Sequence, residues 1–316
     1  MESERQGPCG RDSRRTNTRA GLGPLAVPGL ALALTIAATN ALHAGDADWP
    51  AYQHDPLHSG YNSAARLRLP LETAWTTPIG NEGWTSASPA LADGTIYASG
   101  LHGELRAIDR ATGAEKWRFA SEGSSYLVPA VSGNKVYFAS TDGRLTALDA
   151  SIGELVWSFE TGSNIHTSPA IRDGTVYFAS NEGAVYAVDA QTGALVWRRA
   201  NPGYVLSSPA VDEARVYIGT MEGDLVALDR STGEPAWRVS LGTRIRSAPT
   251  VAGGSVLVGG QDGFLRAFES GTGNPLWSFD CGAPLFDGLA VASGAVVTIT
   301  AHMLRSARRT SLLRSC

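Results

Sequence analysis

Cysteine is scarce in this sequence: 316 residues contain only Cys9, Cys281 and Cys316. Three cysteines are too few to build a disulfide framework. No two of them are adjacent, and the C-x-x-C-H motif that attaches a c-type haem does not occur in these residues. The G-x-S-x-G nucleophile elbow is missing as well. The sequence therefore gives no support for a disulfide scaffold, a covalent haem or a hydrolase of that type.

Long hydrophobic runs are also lacking, except for one near the start. Residues 25–38 form an apolar run, which is shorter than the ~20 residues needed to span a membrane. Arginines precede this run, and the small residue Ala44 follows it. The order is typical of a secretory signal peptide. We predict a signal peptide over residues 1–44 and a periplasmic or secreted mature chain without a transmembrane segment; a disordered tail on a cytoplasmic protein is the alternative.

The charge balance bears on possible partners. The whole chain has 26 basic and 30 acidic residues, a net charge of −4. Residues 1–44 hold five of the basic and three of the acidic residues, so the mature chain would carry 21 against 27, or −6. Nucleic-acid binding depends on neutralising phosphates with basic side chains. A net negative chain therefore argues against a nucleic-acid partner.

The sequence is rich in one repeated frame, A-x-[DE]-x-x-x-G-x-x-x-W. The frame occupies residues 107–117, 147–157, 187–197, 227–237 and 267–277, and successive copies are always 40 residues apart. A fixed period of about 40 residues is the mark of a repeat architecture.

Each repeat contains four short β-strand patterns and no convincing helical period. In residues 208–241, three apolar or β-branched runs are followed by a fourth strand that contains Trp237. Four strands per unit of this length describe a β-propeller blade. We predict an all-β fold, a β-propeller of four-stranded blades with five full repeats and a split sixth. Such a chain is either complete in this form or a fragment of a seven- or eight-bladed propeller.

The invariant residues of the frame have structural explanations. We expect the acid, such as Asp189, to bond the backbone of its own turn, and the glycine, such as Gly193, to adopt a positive φ angle. We expect the tryptophan to pack between neighbouring blades. Residues that are the same in every blade specify the blade itself.

Two predicted segments flank the propeller. Residues 45–70 form a turn-rich lead-in segment, and residues 71–300 hold the propeller. The pattern of residues 71–75 predicts a fourth strand, and that of residues 289–299 predicts the first two strands of the split unit. Residues 301–316 are predicted to be a disordered basic tail, and a truncated or frame-shifted end is the alternative. His54 and His58 lie four residues apart, but Pro56 separates them, so we expect packing under the propeller and no metal site.

With these motifs in place, the chain resembles the pyrroloquinoline-quinone-type (PQQ-like) propeller repeat family over about residues 49–300. That family includes quinoprotein alcohol and glucose dehydrogenases, as well as a non-enzymatic propeller subunit of the bacterial outer-membrane assembly machinery. The resemblance implies a periplasmic setting. In the enzymes it also implies adjacent cysteines beside the quinone, calcium held by Glu and Asn, and an Asp base. The sequence contains no adjacent cysteines, so the non-enzymatic branch is the nearer match.

Function should lie where the repeats differ, in the loop from each fourth strand to the next first strand. In these loops a mostly apolar residue (Thr85, Ser125, Ile165, Val205 or Ile245) stands between two variable ones. Alternation directs the middle residue to one side and its neighbours to the other. The predicted binding residues are Trp84, Ser86, Ser124, Tyr126, Asn164, His166, Tyr204, Arg244 and Arg246. Hairpins at His102, Asp142, Glu182, Glu222 and Asp262 are expected on the same face.

These observations favour a monomeric, non-catalytic propeller that binds a protein or peptide partner in the cell envelope. On this interpretation the chain has no catalytic residues, no metal site and no cofactor. A truncated quinoprotein dehydrogenase that binds pyrroloquinoline quinone and calcium is the alternative. Alternatively, the variable loop residues bind no partner and are simply exposed to solvent.

Overall fold

Every regular element of the described chain is a β-strand, as the repeated frame predicts. The computed structural model describes residues 33–38, 48–60, 72–78, 88–200, 203–292, 295–299 and 304–308. The N-terminal strands β1 (Ala33–Ala38) and β2 (Glu72–Pro78) form an antiparallel two-stranded sheet.

Five four-stranded antiparallel sheets follow, one for each full repeat. In every sheet the strands lie side by side in chain order, so each sheet is a propeller blade. Blade 1 comprises β3 (Ala90–Ala92), β4 (Thr95–Ser99), β5 (Glu104–Asp109) and β6 (Glu115–Ala120). Blade 2 comprises β7 (Ala130–Ser132), β8 (Lys135–Ala139), β9 (Arg144–Asp149) and β10 (Leu155–Glu160).

Blades 3 to 5 repeat this arrangement and confirm the predicted fold class. Blade 3 comprises β11 (Ala170–Arg172), β12 (Thr175–Ala179), β13 (Ala184–Asp189) and β14 (Leu195–Ala200). Blade 4 comprises β15 (Ala210–Val211), β16 (Arg215–Gly219), β17 (Asp224–Asp229) and β18 (Pro235–Ser240). Blade 5 comprises β19 (Thr250–Ala252), β20 (Ser255–Gly259), β21 (Phe264–Glu269) and β22 (Pro275–Asp280).

The last sheet has three strands, β23 (Ala290–Ala292), β24 (Ala295–Ile299) and β25 (Leu304–Arg308). The first two are the strands predicted for the split sixth unit. The third corrects the expected tail, because Leu304–Arg308 pairs with β24 along its whole length. The edge of a strand offers unpaired N–H and C=O groups, and Leu304–Arg308 pairs with that edge of β24. The remainder of the predicted tail and most of the predicted signal peptide lie outside the described residues.

The core lies between the blades. All five residues of β4 and of β8 are buried, whereas the outermost strand β10 is exposed or half-buried throughout. One cluster joins Tyr137 of blade 2 to Phe178 of blade 3, and a second joins Tyr177 of blade 3 to Ile218 of blade 4. The middle strands are therefore apolar on both faces because a neighbouring blade covers each face.

A tryptophan connects each blade to the next. The indole Nε1 of Trp157 in blade 2 donates to the carbonyl oxygen of Ala190 in blade 3 at 3.1 Å, and Trp117, Trp197 and Trp237 make the equivalent bond at 2.9 Å. Each of these rings lies over the turn glycine of the following blade. The predicted packing of tryptophan between neighbouring blades is thus observed, and it includes a hydrogen bond.

The turn under Trp157 explains the other invariant residues. Asp189 Oδ1 accepts from the backbone N–H of Gln191 at 3.0 Å and of Thr192 at 2.7 Å. Gly193 has φ +74°, and a Cβ atom built on it would lie 2.7 Å from Cδ2 of Trp157. Only glycine satisfies both the positive φ angle and the contact with the ring.

The lead-in segment lies across the inner strands of the blades. Its carbonyl oxygens accept backbone N–H bonds from five of the six inner strands, at 2.6–2.8 Å. The pairs are Trp49 with Leu91, Pro50 with Val131, Pro56 with Val211, Leu57 with Val251, and Ser59 with Val291. His58 is fully buried here, and its Nδ1 donates to the carbonyl oxygen of Pro249 at 3.0 Å. The histidine therefore serves packing, as expected.

We expect Gly193→Val to lower stability much more than Gln191→Ala. Valine at a positive φ is strained by ~1–3 kcal/mol, and its side chain would meet the Trp157 ring. Gln191 is exposed, although its Oε1 accepts from Lys135 Nζ at 2.6 Å, so its loss should cost under about 1 kcal/mol. Urea midpoints of the two variants measure the difference. Equal losses would contradict the role given to the turn.

We expect His58 to make the fold less stable in mild acid. Burial is the main cause that lowers the pKa of His58 from 6.5 to about 4. Between these values the unfolded chain binds more protons than the folded one, so the stability falls as the pH falls through this window. At ~1.4 kcal/mol per pH unit this group contributes a loss of about 3 kcal/mol.

Unfolding free energies of the parent chain and of His58→Gln, measured from pH 7 to pH 4, test this effect. The variant should show the shallower pH dependence, whatever its stability at pH 7. His102→Gln, which alters an exposed histidine, serves as the control and should keep the parent slope. A parent slope in His58→Gln would refute the assignment.

Candidate functional site

The loops between blades present the alternation that the sequence predicts. The middle residues Ser125, Ile165, Val205 and Ile245 have no exposed surface. Leu285, one further period along, is also fully buried. Thr85 lies outside the described residues. Each of these loops is therefore anchored by one buried side chain. This anchor fixes the positions of the residues on either side of it.

The flanking residues lie at the surface. Asn164, Tyr204, Arg244 and Arg246 are exposed, and Ser124, Tyr126 and His166 are half-buried. Trp84 and Ser86, also predicted as binding residues, lie outside the described residues. Phe286, 37% exposed, occupies the same place in the next loop. Sequence reasoning missed this residue, although counting one repeat period on from Arg246 would have found it.

The hairpins lie on the same face as the loops. In blades 2 to 5, the residue that begins each hairpin donates its backbone N–H to the carbonyl of the residue that precedes the buried anchor. The bonds run from Thr141 to Ser124, Asn181 to Asn164, Met221 to Tyr204 and Gln261 to Arg244, at 2.8–3.0 Å. We call the surface made by these loops and hairpins the mouth surface.

Side chains from three successive loops meet on the mouth surface. The rings of Tyr126 and His166 pack edge to face, with centroids 5.5 Å apart. Asn181 Nδ2 lies 3.4 Å from His166 Nδ1 and donates to the hydroxyl of Tyr204 at 3.0 Å. Arg246 is close enough to affect the ionisation of Tyr126. Three predicted residues from three different loops, Tyr126, His166 and Tyr204, are thus brought together, and Asn181 connects two of them.

Asn181 was not predicted from the sequence. It occupies the hairpin position held by Thr141, Met221 and Gln261 in other blades, and this variation within an invariant frame was the available signal. Its buried Oδ1 has no hydrogen-bond partner among the described residues. An amide oxygen of this kind can accept a hydrogen bond from a bound molecule.

Burial and neighbouring groups set the ionisation of this cluster. Burial raises the pKa of the Tyr126 hydroxyl, with Tyr204 acting in the same direction and Arg246 against it. Burial lowers the pKa of His166, so the ring is neutral near pH 7. A neutral ring is consistent with Nδ1 accepting from the Asn181 amide. The cluster is therefore uncharged at its centre and offers hydrogen-bonding and aromatic groups.

The charged groups of the mouth surface belong to the hairpins and to the loop that precedes blade 5. Hydrogen bonds from Arg198 and Tyr186 hold the pKa of Glu182 below its usual value, and Arg266 does the same for Asp262. Arg244 and Arg246 form no ion pair within the described ranges. Glu182 and Asp262 are thus partly neutralised by arginines of their own blades, whereas the exposed guanidinium groups of Arg244 and Arg246 have no such partner within the described ranges.

The adjacent cysteines that the quinoprotein resemblance implies do not occur among the residues of this sequence. Cys281 is the only cysteine in the part of the chain that the structure describes, and it is buried. In the same residues no group of three or more His, Cys, Asp or Glu side chains is placed to hold a metal ion. The described residues also contain no helix that is long and apolar enough to cross a membrane.

Comparison with solved structures places the fold among propellers. BamB from Moraxella catarrhalis is 21% identical, with a TM-score of 0.53, over 78% of this chain and 89% of that protein. The quinohemoprotein alcohol dehydrogenase of Comamonas testosteroni is 18% identical, with a TM-score of 0.68, over 79% of this chain. A second such dehydrogenase, from Pseudomonas putida HK5, is 20% identical with a TM-score of 0.65, over 74% of this chain. The chain spans only 57% and 48% of the two dehydrogenases.

Likeness at these identities establishes the fold and leaves the activity open. A search of curated proteins found no match. The family described as outer membrane protein assembly factor BamB matches residues 71–204 and 181–309, which is most of the chain. The chain therefore belongs to the BamB family of propellers with PQQ-like repeats.

Proposed function

We propose that this protein is an exported, non-catalytic β-propeller that binds a protein or peptide partner through its mouth surface. The observation that carries the proposal is the meeting of Tyr126, His166, Asn181 and Tyr204, which come from separate loops and hairpins. Aromatic and arginine side chains dominate the energy of protein interfaces. Both types lie together here, on loops that vary within an otherwise invariant frame.

The geometry favours a preformed binding surface. The backbone N–H of Tyr204 donates to Glu222 Oε1 at 3.1 Å, and its hydroxyl accepts from Asn181. The neighbouring anchor Val205 is completely buried. A tyrosine held at both ends loses little conformational freedom when a partner binds, so more of its contact energy appears as affinity.

The setting that we propose is the periplasm, with a role in the assembly of the outer membrane. Membership of the BamB family and the signal-peptide pattern of residues 1–44 support this setting. The protein would act there as a monomeric scaffold that presents the mouth surface to an envelope protein. A net charge of −6 for residues 45–316 supports a protein partner over a nucleic acid.

We expect the double variant Tyr204→Ala/Arg246→Ala to weaken capture of an envelope partner by ~1–3 kcal/mol, about 5- to 150-fold. Both side chains are exposed on loops, so the melting temperature should not change. Ile245→Ala, which removes the buried anchor beside Arg246, should instead lower the melting temperature before it affects capture. Pull-down from a solubilised envelope extract, quantified for each captured protein, measures the first effect.

A matched control uses exposed residues on outer strands. Arg118→Ala/Leu195→Ala also removes one arginine and one large side chain, both exposed, and should leave capture and melting unchanged. If this control weakens capture as much as Tyr204→Ala/Arg246→Ala, the binding surface is not at the mouth. If Ile245→Ala abolishes capture at unchanged stability, the two sides of the loop have been assigned in reverse.

The structural likeness to quinohemoprotein dehydrogenases makes cofactor binding the test of the enzymatic alternative. We expect the purified protein, incubated with pyrroloquinoline quinone and calcium, to show no saturable binding in a titration of quinone fluorescence. Dye reduction with alcohols or sugars should stay at the level of the buffer. A micromolar dissociation constant would overturn the non-enzymatic proposal.

A further inference from the structure

In each of the five complete blades, the outer edge of the outermost strand pairs with none of the described strands. Such an edge presents free backbone N–H and C=O groups to other chains, and proteins usually protect it with proline or with charged side chains, above all lysine. Four of these blades carry proline or a basic residue there. β6 contains Lys116 and Arg118, β14 contains Arg198 and Arg199, and β18 and β22 each begin with a proline.

Strand β10 of blade 2 has neither proline nor a basic residue in its sequence, LVWSFE, and its one charged residue is Glu160 at the end. Leu155 and Val156 are 58% and 46% exposed. Ile152, in the turn before the strand, is 57% exposed, whereas the other four complete blades have threonine at its place. Among the outer strands of the complete blades, β10 is therefore the least protected against the addition of another strand.

The backbone of β10 offers its free groups at Ser158 and Glu160. Thr161, the residue after the strand, donates its N–H to the carbonyl oxygen of Gly143 at 2.9 Å. The register runs without a break from Glu160 back to Trp157, and hydrogen-bonded pairs alternate with non-hydrogen-bonded pairs along an antiparallel ladder. The N–H and C=O groups of Ser158 and Glu160 therefore point away from β9, toward the open edge.

The two faces of β10 differ in polarity. Phe159 is half-buried on the face toward blade 3, where its ring packs against Phe178 and Tyr186 with centroids 6.0 and 5.6 Å apart. Ser158 and Glu160 are exposed, and alternation places them on the opposite face. Side chains of paired strands interact with their neighbours on the same face. A strand added to this edge should therefore be apolar beside Phe159 and polar beside Glu160.

The charge around β10 selects the polar side chains of an added strand. Residues 145–171 contain three acids and no lysine or arginine. Two of the acids, Glu154 and Glu160, are exposed and form no ion pair within the described ranges. Arg144 is opposite Glu160 but pairs with Glu122 at 3.5 Å. Basic side chains on an added strand would complement this charge.

We propose that β10 is a docking edge for an extended strand of a partner polypeptide in which apolar and basic side chains alternate. The backbone of that strand pairs with Ser158 and Glu160. Its apolar side chains cover Leu155 and Phe159, and its basic side chains lie beside Glu160. Docking extends blade 2 from four strands to five. None of these residues belongs to the mouth surface, so the two binding sites are independent.

Synthetic ten-residue peptides test the proposal. The first probe alternates lysine and valine and carries a fluorescent label, and its binding to the purified full chain is read as fluorescence anisotropy. We expect saturable binding of one peptide per chain. The same peptide methylated on its backbone nitrogens cannot donate to β10, and a peptide with glutamate in place of lysine meets like charges. Each should bind at least ~10-fold more weakly.

Two variants of β10 locate the site. Ser158→Pro removes an outward N–H donor and leaves the ladder to β9 intact, because proline is tolerated on an edge strand. Ser158→Lys adds the kind of charge that protects β6, and it keeps the test valid if the proline variant is unstable. Each variant should weaken binding of the lysine–valine peptide at least ~10-fold.

The matched controls are Ser278→Pro and Ser278→Lys, at the equivalent position of β22 in blade 5. They should bind the peptide as the parent chain does. The variant Tyr204→Ala/Arg246→Ala should also bind it normally, which separates this edge from the mouth surface. Thermal melts of every variant verify that the blades remain folded.

Four results would overturn the proposal. The first is the absence of saturable binding by the lysine–valine peptide. The second is equal binding of the methylated peptide, since the contact would then not be strand pairing. The third is a loss of binding in the Ser278 variants as large as in the Ser158 variants. The fourth is a dimer of the protein alone, seen by sedimentation and dissociated by Ser158→Lys, because a second copy would then occupy the edge.

Discussion

The interaction on which the structure depends is the docking of a tryptophan over the turn of the next blade. The ring needs a glycine beneath it, the turn needs an aspartate or glutamate to hold it, and the indole N–H needs the turn carbonyl as acceptor. The same three components recur at a constant spacing along the chain, so each of these blades meets the next through the same contact.

The same constraint leaves the channel mouth free to vary. Each loop is fixed by one buried residue, such as Ile165, and by a backbone bond to its own hairpin. Several side chains on either side of that residue are exposed, such as Asn164 and Arg246, whereas Tyr126 also packs against the core between blades 2 and 3. The exposed side chains can change from repeat to repeat with little loss of stability, which is how a scaffold of near-identical blades acquires a surface of unlike groups.

The blades could be predicted from the sequence because their determinants are local and repeated five times. The burial of Ser125, Val205 and Ile245 followed from alternation in a short loop. The bond from Asn181 to Tyr204 could not be predicted, because it depends on how far two blades are rotated relative to each other. Strand β1 was also missed: an apolar run suits a leader and a strand equally, and the choice depends on the edge of β2, far along the chain.

The lead-in segment changes the kind of cooperativity that this architecture can have. A row of blades that touch only their neighbours resembles a one-dimensional chain, whose end units can open singly. Here the backbone of the lead-in segment is hydrogen-bonded to the inner strands of blades 1, 2, 4 and 5 and to β23. Opening any of these blades, or the sheet that contains β23, breaks a backbone hydrogen bond to the lead-in segment as well as contacts with a neighbouring blade. Distant blades are therefore coupled through a segment that belongs to none of them.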